Sequence, residues 1–510
     1  MPLDTVKELA ALLKFLHVVK TEGRIDAPVR GLAYHTDCIQ PGSVFFCLEG
    51  GKADGHDFIS QAVAAGAVAV FLEKERAVRG AVKVLVPNVR LAMAAVSQFF
   101  YDSPASKLRL IGVTGTNGKT TTTYLIEAIM AAQNYKTGLL GTIKYQIGPE
   151  IFPVLATTPE APDLQKALRL MVEKEVAYAI MEVSSHALEL NRVAGCDFDY
   201  AVLTNVTDDH LDFHQTHARY LAAKKKFFSQ MGGSFFKGSQ PRFAVLNRDD
   251  IHYSSFFRQV TTQSVSYGIK NPADIRAEKI KLKSRGVHYK LVSPWGKADF
   301  SLQLNGYFNI YNALAATAVA LLEGVDLLAI KDALEKIEGV PGRFERVDLG
   351  QDFVVIVDYA HTPDGLDNIL QTAREFCRGK IITIFGCGGE RDRAKRPLMG
   401  QIAGKYSDYC ILTSDNPRGE DPWQIIYEVE PGLQENKASG NGYTIQPDRY
   451  EAIKLGVELA RPGDMVIIAG KGHENYQIFS DHTLPFSDRE VASEIIVQRL
   501  ANKNQEEKNN

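Results

Sequence analysis

A segment rich in glycine and threonine offers the clearest chemistry in the sequence. Val113–Thr120 reads Val-Thr-Gly-Thr-Asn-Gly-Lys-Thr and continues from the apolar run Leu108–Val113. Glycines let backbone N–H groups converge on phosphate oxygens, and the start of a following helix adds partial positive charge. In such a loop Lys119 reaches the outer phosphates and Thr120 offers its hydroxyl to Mg²⁺. The segment predicts a site for nucleotide phosphates, and a strand-to-helix turn that binds nothing is the alternative.

Two more polar side chains follow apolar runs. Glu182 stands at the end of Ala177–Val183, and His210 comes shortly after Tyr200–Val206. Ligands of open α/β sheets gather beyond the carboxyl ends of parallel strands, which favours a functional site here. For either residue alone, a helix-cap carboxylate or a satisfied core histidine would be the commoner interpretation.

The elements that must position these residues are short apolar runs separated by helical patterns. The runs are apolar throughout, which is typical of parallel strands covered on both faces. Turn-forming residues at Tyr101–Pro104 and Val340–Gly342 predict two boundaries. The fold class expected is α/β with three domains, a first at 1–104, a central one at 105–340 and a doubly wound third at 341–510. Alternation between Ile275 and Leu304 predicts an antiparallel flap.

The bulk composition narrows the classes of function. The 510 residues include 58 basic and 61 acidic ones, so the net charge of −3 gives no overall attraction to nucleic acid or membrane. The six cysteines are scattered, which predicts reduced thiols. Neither a secretory signal nor an apolar stretch of membrane-spanning length is evident. We expect a cytoplasmic monomer that binds small molecules, with no nucleic-acid or membrane partner.

Several segments resemble the motifs of the Mur ligase family, in order and in spacing, over nearly the whole chain. The phosphate loop is also similar to that of folylpolyglutamate synthetases. The segments that carry the resemblance are Thr114–Thr120, Glu182–His186, Thr204–Asp212, Asn305–Ala313, Gly342–Glu345, Asp358–Pro363, Gly388–Met399, Asp415–Arg418 and Ala469–Gln477.

The resemblance implies a fold and a reaction. An N-terminal UDP-precursor-binding domain, a central ATP-binding domain and a Rossmann-like amino-acid-binding domain would form an ATP-dependent amide ligase of peptidoglycan precursor synthesis. Within the family, Asp415-Asn416-Pro417-Arg418 resembles the signature of ligases that add meso-diaminopimelate, rather than L-lysine, to UDP-MurNAc-L-Ala-D-Glu through an acyl phosphate. An arginine fork at Arg418 and an amide at Asn416 suit the extra carboxylate of diaminopimelate.

The same resemblance implies the site residues. The catalytic set is Lys119, Glu182, His210 and Lys224, and the Mg²⁺ set is Thr120, Glu182, His210 and Lys224, the last as a carbamate. ATP contacts are expected from Gly115, Thr116, Asn117, Gly118, Lys119, Thr120, Thr121, Asn309, Arg343, Asp358 and His361. The UDP-precursor set is Thr36, Thr157, Thr158, Ser184 and Arg192. The amino-acid set is Arg391, Asp415, Asn416, Pro417, Arg418, Gly470 and Glu474.

One segment departs from the family pattern. Where relatives usually show Asp-Ser-Arg, this chain reads His35-Thr36-Asp37, which places an anion where the family has a cation. A diverged paralogue with another acceptor is therefore an alternative. A lysine-adding ligase is a second alternative. A folylpolyglutamate synthetase, a nucleotide-binding regulator without catalysis and a generic phosphate-loop ATPase or GTPase fit fewer of the motifs.

Overall fold

Three mixed α/β sheets follow one another along the chain. The structure, a computed structural model, describes residues 5–50, 53–154, 156–207, 211–231, 240–283, 285–436 and 442–509. The predicted α/β class and three-domain organisation are confirmed by the sheets and by the matches reported below. The limits set at 104/105 and 340/341 stay predictions.

The first sheet has five strands in the order β2-β7-β6-β5-β4, of which β4 to β7 are parallel and β2 is antiparallel to β7. Strands β5 and β6 are buried at every position, as expected for central strands covered on both faces. The elements of this part are β1 (Lys7–Glu8), α1 (Leu9–Leu13), β2 (Lys20–Glu22), β3 (Pro28–Val29), β4 (Gly31–Ala33), β5 (Ser43–Phe46), α2 (Ile59–Ala64), β6 (Ala69–Leu72), β7 (Val82–Leu85) and α3 (Val89–Phe100).

The second sheet has eleven strands in the order β11-β10-β9-β12-β8-β13-β14-β15-β16-β17-β18. Its elements are β8 (Arg109–Thr114), α4 (Lys119–Ala132), β9 (Thr137–Leu140), β10 (Tyr145–Ile147), β11 (Glu150–Phe152), α5 (Ala161–Glu173), β12 (Tyr178–Glu182), α6 (Ser185–Glu189), β13 (Tyr200–Leu203), α7 (Leu211–His214), α8 (His217–Ser229), β14 (Phe243–Asn247), α9 (Tyr253–Phe257), β15 (Gln263–Gly268), β16 (Ile275–Leu282), β17 (Val287–Ser293), β18 (Gly296–Leu302), α10 (Tyr307–Leu322) and α11 (Leu327–Glu335).

Strand order in this sheet brings three chain segments to one edge. Strand β8 lies between β12 and β13, all parallel, with Glu182 opposite Val113 and Leu203 opposite Thr114. The loops after these three strands therefore open side by side. The alternating segment at 275–302 is antiparallel, as expected, but it does not form a separate flap. Strand β16 pairs in parallel with β15, so β16 to β18 extend the main sheet.

The third sheet has six strands in the order β19-β20-β24-β21-β22-β23, and only β19 is antiparallel. The carboxyl ends of its four central strands form one edge. The elements of this part are β19 (Glu345–Val347), β20 (Val354–Asp358), α12 (Pro363–Phe376), β21 (Ile381–Phe385), α13 (Lys395–Tyr406), β22 (Tyr409–Leu412), α14 (Pro422–Gln434), β23 (Tyr443–Ile445), α15 (Arg449–Leu459), β24 (Met465–Ala469), β25 (Tyr476–Ile478), β26 (Thr483–Pro485) and α16 (Asp488–Asn509).

Several helices that follow loops at the edges of the sheets begin at a residue whose side chain caps the helix N-terminus. The side chains of Thr362 and Asp448 accept hydrogen bonds from backbone N–H groups in the first turns of α12 and α15. Helix α10 is buried over almost its whole length, since it packs on α4 and on the central sheet. Among the helices described, none has the length and apolar character needed to cross a membrane.

Candidate functional site

The phosphate loop joins the buried strand β8 to the start of α4. The backbone N–H of Thr116 donates to the carbonyl of Asn205 at 2.8 Å, and the N–H of Asn117 donates to Asn205 Oδ1 at 3.0 Å. Gly115 has φ +148°, and a Cβ there would lie 1.8 Å from Thr204 Oγ1. The segment after β13 thus holds the loop in place, and glycine is required where the two meet.

Two lysines converge on the carbonyl groups of this loop. Lys119 Nζ donates to the carbonyls of Gly115 and Thr116 at 3.0 and 2.8 Å. Lys224, on α8, donates to the same Gly115 carbonyl at 2.8 Å. Its side chain is 1% exposed, and its ammonium lies 4.6 Å from the centre of the Tyr220 ring. The half-buried positive charge of Lys119 at the N-terminus of α4 suits the oxygens of a polyphosphate.

Glu182 lies at the end of β12, next to the phosphate loop, with only 1% of its surface exposed. Its carboxylate accepts hydrogen bonds from the backbone N–H and the hydroxyl of Thr142 at 2.8 and 3.1 Å. In the part of the chain that the structure describes, no lysine or arginine forms an ion pair with it. A buried carboxylate without a cationic partner suits a cation from solution.

The oxygen groups at this edge fit Mg²⁺, which prefers hard oxygen ligands. The Thr120 hydroxyl at the start of α4 is buried, and the side chain of Thr121 beside it is buried as well. With the Glu182 carboxylate, Thr120 supplies two of the donors that the sequence predicted. His210, the third, lies outside the described residues. Lys224 is a donor only after carbamylation.

Asparagines at the start of α10 contact the other side of the phosphate loop. A Cβ at Gly118, which has φ +83°, would lie 2.3 Å from Asn312 Oδ1. Asn312 Nδ2 in turn donates to Asn309 Oδ1 at 3.1 Å. Asn309, a predicted ATP contact, is 2% exposed and is connected to the loop through Asn312. Asn117 hydrogen-bonds to Asp364 on α12, across the two sheets.

Residues of the third sheet reach the same loop. Arg343 Nη2 donates to Thr120 Oγ1 at 3.1 Å, and its guanidinium lies 4.6 Å from the centre of the Tyr359 ring. The Asp358 carboxylate accepts from the N–H groups of Phe344 and Ala360 at 2.5 and 2.7 Å. Burial raises the pKa of Asp358, and Arg343 opposes this shift.

The last predicted ATP contact, His361, follows Asp358 in the loop between β20 and α12. Its Nδ1 lies 2.7 Å from the carbonyl oxygen of Tyr359, and its own carbonyl accepts a hydrogen bond from Lys395 at 2.9 Å. Arg343, Asp358 and His361 therefore occupy one small region that faces the phosphate loop.

Four of the five residues expected to hold the UDP precursor form one hydrogen-bonded group beside Glu182. Thr158 Oγ1 donates to the Glu182 carbonyl at 2.9 Å and accepts from the Ser184 N–H at 3.1 Å. Arg192 Nη1 donates to the Thr158 carbonyl at 3.0 Å. Thr157 Oγ1 lies 3.0 Å from Thr142 Oγ1. The group lies next to the carboxylate expected to bind metal.

Thr36, the fifth, lies on the first sheet's side, in the 3₁₀ helix Thr36–Cys38. Two residues earlier, the Tyr34 hydroxyl hydrogen-bonds to Asp163 in the first turn of α5, and so connects this turn to the central part of the chain. Asp37 is exposed.

The amino-acid set gathers at the carboxyl edge of the third sheet. Asn416 Nδ2 donates to Glu474 Oε2 at 2.8 Å, while Asn416 Oδ1 accepts from Lys471 Nζ and from the Ile478 N–H, both at 3.0 Å. Burial raises the pKa of Glu474, and the ammonium of Lys471 opposes this shift. Gly470 has φ +118° and lies against the Asp415 carboxylate, because a Cβ at this position would lie 2.5 Å from Asp415 Oδ2.

The expected amino-acid set also includes two arginines, Arg418 and Arg391. Arg418 has φ +52°, and its Nη1 donates to the carbonyl of Gly389 at 2.8 Å. Pro417, just before it, is buried. Arg391 is exposed and contacts the carbonyl of Glu390 at 3.3 Å. A guanidinium carries five N–H donors, so the bond to Gly389 leaves Arg418 able to hold a carboxylate.

Sequence reasoning missed several residues that the structure places in these groups. Thr142 carried no signal, because it lies 40 positions from Glu182 and outside every motif. Asp364 follows the matched segment Asp358–Pro363 directly, and Lys471 stands between Gly470 and Gly472. His473 contacts the backbone of Thr142, and burial lowers its pKa from an ordinary 6.5 to about 4.

The arrangement suits chemistry between three bound groups. A phosphate site, a buried carboxylate with a precursor group beside it, and an amino-acid group lie on facing sheet edges and are linked by Thr142, Arg343 and His473. Such a site can bring a nucleotide phosphate, a carboxylate and an amine together away from water.

Comparison with known families gives matches over most of the chain. The profile described as Mur ligase middle domain matches residues 113–320, and that of the Mur ligase, glutamate ligase domain matches 342–472. The profile of the Mur ligase family, catalytic domain matches residues 28–106. The three matches follow the order of the three sheets.

Individual relatives cover nearly the full length. UDP-N-acetylmuramoyl-L-alanyl-D-glutamate--2,6-diaminopimelate ligase of Syntrophomonas wolfei is 47% identical over 490 residues, covering 96% of this chain and 99% of that protein. The ligase of the same name from Geobacillus thermodenitrificans is 48% identical and covers 90% and 93%. A solved structure of a ligase with this name is 33% identical, with a TM-score of 0.68 and coverage of 97% and 99%.

Proposed function

Because the chain belongs to the Mur ligase family, we propose that it is an ATP-dependent ligase that joins meso-diaminopimelate to UDP-MurNAc-L-Ala-D-Glu. The observation that supports this proposal is the group formed by Asn416 and Glu474, whose neighbour His473 contacts the backbone of Thr142, the residue bonded to Glu182. The substrate names come from relatives at 47% and 48% identity. Since ATP and UDP-linked precursors are cytoplasmic, the cytoplasm is the compartment of the reaction.

The first step forms an acyl phosphate. A carboxylate oxygen of the D-glutamate side chain attacks the γ-phosphorus of ATP, and ADP leaves. Both reactants are anions, so positive charge is needed where they meet. Lys119 lies at the phosphate loop, and Arg343 contacts Thr120 from the third sheet. We assign Asn309 and His361 to contacts with the nucleotide part of ATP.

Mg²⁺ supplies Lewis-acid charge that offsets the repulsion between these anions when it is bound. Thr120 and Glu182 are the described residues that would hold it, with His210 and a carbamate on Lys224 as further ligands. Lys224 is the candidate because the residue is 1% exposed and reaches the phosphate loop, where its Nζ lies 2.8 Å from the carbonyl oxygen of Gly115. A carbamate would replace that buried cation with an anion suited to a metal.

The second step forms the amide bond. The amine of the incoming amino acid attacks the acyl carbon, phosphate leaves and the amine loses a proton. Arg418 and Asn416 provide N–H donors for the distal carboxylate, and Glu474 provides an acceptor for an ammonium. L-lysine lacks that carboxylate and would leave the arginine without its partner, which favours diaminopimelate.

The decisive experiment supplies the purified protein with ATP, Mg²⁺ and UDP-MurNAc-L-Ala-D-Glu. Phosphate release and product mass are followed with meso-diaminopimelate and with L-lysine in separate reactions. A tripeptide product with diaminopimelate alone supports the proposal. Product with lysine alone keeps the ligase and overturns the amino-acid assignment.

A second candidate is a family member with another acceptor. It is favoured by one observation, the exposed Asp37 where relatives usually carry arginine. No product with either amino acid, together with ATP binding, would support this candidate.

A further inference from the structure

Lys471 lies in the interior of the amino-acid group, although a lysine is seldom fully buried. Its side chain is 0% exposed. Its ammonium lies 3.0 Å from Asn416 Oδ1 and 3.2 Å from Glu474 Oε2, and 5.5 Å from the centre of the Tyr476 ring. A buried charge needs such partners. Lys471 is therefore held by Asn416 and Glu474, two residues that are expected to bind the amino-acid substrate.

These contacts determine which way the Asn416 amide faces. Its Oδ1 meets two donors, the Lys471 ammonium and the Ile478 N–H, each at 3.0 Å. Its Nδ2 meets the Glu474 carboxylate at 2.8 Å. With the amide turned over, the NH₂ group would face an ammonium that has no acceptor. Lys471 and the Ile478 N–H therefore hold the amide oxygen toward themselves. One N–H of the amide donates to Glu474, and the other is left for a ligand.

The same ammonium also occupies one oxygen of Glu474. Oε2 accepts from both Lys471 and Asn416. Among the residues described, the structure shows hydrogen bonds of this carboxylate at Oε2 alone, which leaves Oε1 to accept from a ligand. Asn416 thus presents a donor and Glu474 an acceptor, side by side, which complements a carbon that carries both a carboxylate and an ammonium.

We propose that Lys471 is a positioning residue that determines which amino acid the ligase accepts. It does so by orienting the Asn416 amide as a donor for the distal carboxylate of diaminopimelate. This inference rests on the proposed function. L-lysine has an ammonium but no carboxylate at that position, so the oriented N–H donor of Asn416 has no acceptor on L-lysine. Without Lys471 only the Ile478 N–H and the Glu474 carboxylate hold this orientation. The amide then turns over more easily, and the advantage of diaminopimelate shrinks.

The test compares kcat/KM for meso-diaminopimelate and for L-lysine in wild type and Lys471→Met. We expect the ratio of the two to fall about 10- to 100-fold, because one charge-assisted contact no longer favours the dicarboxylic substrate. KM for ATP should stay unchanged. Lys471→Gln retains an N–H donor toward Asn416 Oδ1, so it should recover part of the ratio. An unchanged ratio in Lys471→Met, or an equal loss with both amino acids, overturns the inference.

Two further variants keep the test decisive. Asn416→Asp preserves the shape of the side chain and its contact with Lys471 but removes both N–H donors, so it should lose the same ratio even if Lys471→Met does not fold. A retained ratio in Asn416→Asp overturns the inference. The control is Lys454→Met, an exposed lysine on α15 paired at 3.9 Å with Glu451, which should behave as wild type. Wild type that forms no product with either amino acid contradicts the proposed function instead.

Discussion

Arg343 Nη2 donates a hydrogen bond to Thr120 Oγ1 at 3.1 Å, and this bond joins the third sheet to the phosphate loop of the second. The two residues lie 223 positions apart in the chain. A cation from one domain thus contacts the hydroxyl that is expected to bind Mg²⁺ in another. The proposed nucleotide site therefore includes a residue of the third domain.

Replacing Arg343 with lysine should weaken this coupling. Lysine keeps the charge but loses the planar fork that reaches both Thr120 and the Tyr359 ring, so kcat/KM for ATP should fall about 10- to 100-fold. ATP titrations of phosphate release measure the effect. Arg346→Lys is the matched control, since Arg346 on β19 pairs at 3.2 Å with Asp348. Equal behaviour of the two variants would contradict the role of Arg343.

Glu182→Gln should separate metal binding from folding. The glutamine oxygen still accepts from the Thr142 N–H, and its NH₂ can donate to the Thr142 hydroxyl, so thermal stability should be kept. Because the buried negative charge is lost, activity should fall about 100-fold or more and need more Mg²⁺. Mg²⁺ titrations of phosphate release test this. The control is Glu189→Gln, because Glu189 is exposed and pairs with Lys226. An unaltered Mg²⁺ dependence in Glu182→Gln would refute the assignment of Glu182 as a Mg²⁺ ligand.

Gly118, in the phosphate loop, and Gly324, outside it, form a matched pair of glycines for substitution. They have φ +83° and +79°, so alanine at either costs about 1–2 kcal/mol of left-handed backbone strain. At Gly118 the new methyl group would also meet Asn312 Oδ1 at 2.3 Å, whereas at Gly324 nothing lies within 4 Å. We expect Gly118→Ala to lose ATP binding and Gly324→Ala to keep it, as measured with a fluorescent ATP analogue. Similar affinities in both variants would rule out this loop as the nucleotide site.

His473 should make the stability of the protein depend on pH. Burial lowers its pKa from 6.5 to about 4, with the positive charge of Arg343 as the second cause. When the pH falls below 6.5 the unfolded chain takes up this proton before the folded one does. The stabilisation is therefore present above pH 6.5 and is lost as the pH falls toward about 4.

The corresponding measurement is the melting temperature between pH 7 and pH 4, a window set by these two pKa values. His473→Asn should show a shallower fall in melting temperature with decreasing pH than wild type. The exposed His35→Asn should follow the wild-type curve. Parallel curves for wild type and His473→Asn would show that His473 does not contribute.

Asp37→Arg tests the departure from the family pattern. If a diphosphate binds near the turn Thr36–Cys38, replacing the exposed carboxylate with a cation should lower KM for the UDP precursor about three- to tenfold at low salt, and less at high salt. Steady-state kinetics at two ionic strengths measure this. Asp57→Arg, in the neighbouring turn Gly55–Phe58, is the control for a general change of charge. No change in KM would mean that the acceptor does not reach Asp37.

The central strands and the start of the nucleotide site could be predicted from local sequence. The apolar runs Ala177–Val183 and Tyr200–Val206 predict strands, and the structure has β12 and β13 there, because strands buried on both faces are rich in apolar residues. Val113–Thr120 was predicted to join a strand to a helix, since glycines and a helix start are local features. The continuation of the main sheet through β16–β18 was not foreseen, because alternation shows antiparallel pairing but not the strand it joins.

The sequence by itself determined the fold class, the phosphate loop and the motifs that led to the family. Only the tertiary structure decided that Thr142 holds Glu182, that Asn117 meets Asp364 and that Lys471 orients Asn416. These pairs lie 40, 247 and 55 positions apart. Local sequence specifies strands, turns and caps through short-range sterics and hydrogen bonds. Contacts between distant residues depend on strand order and on how the domains close, and these are set by the packing of the whole chain.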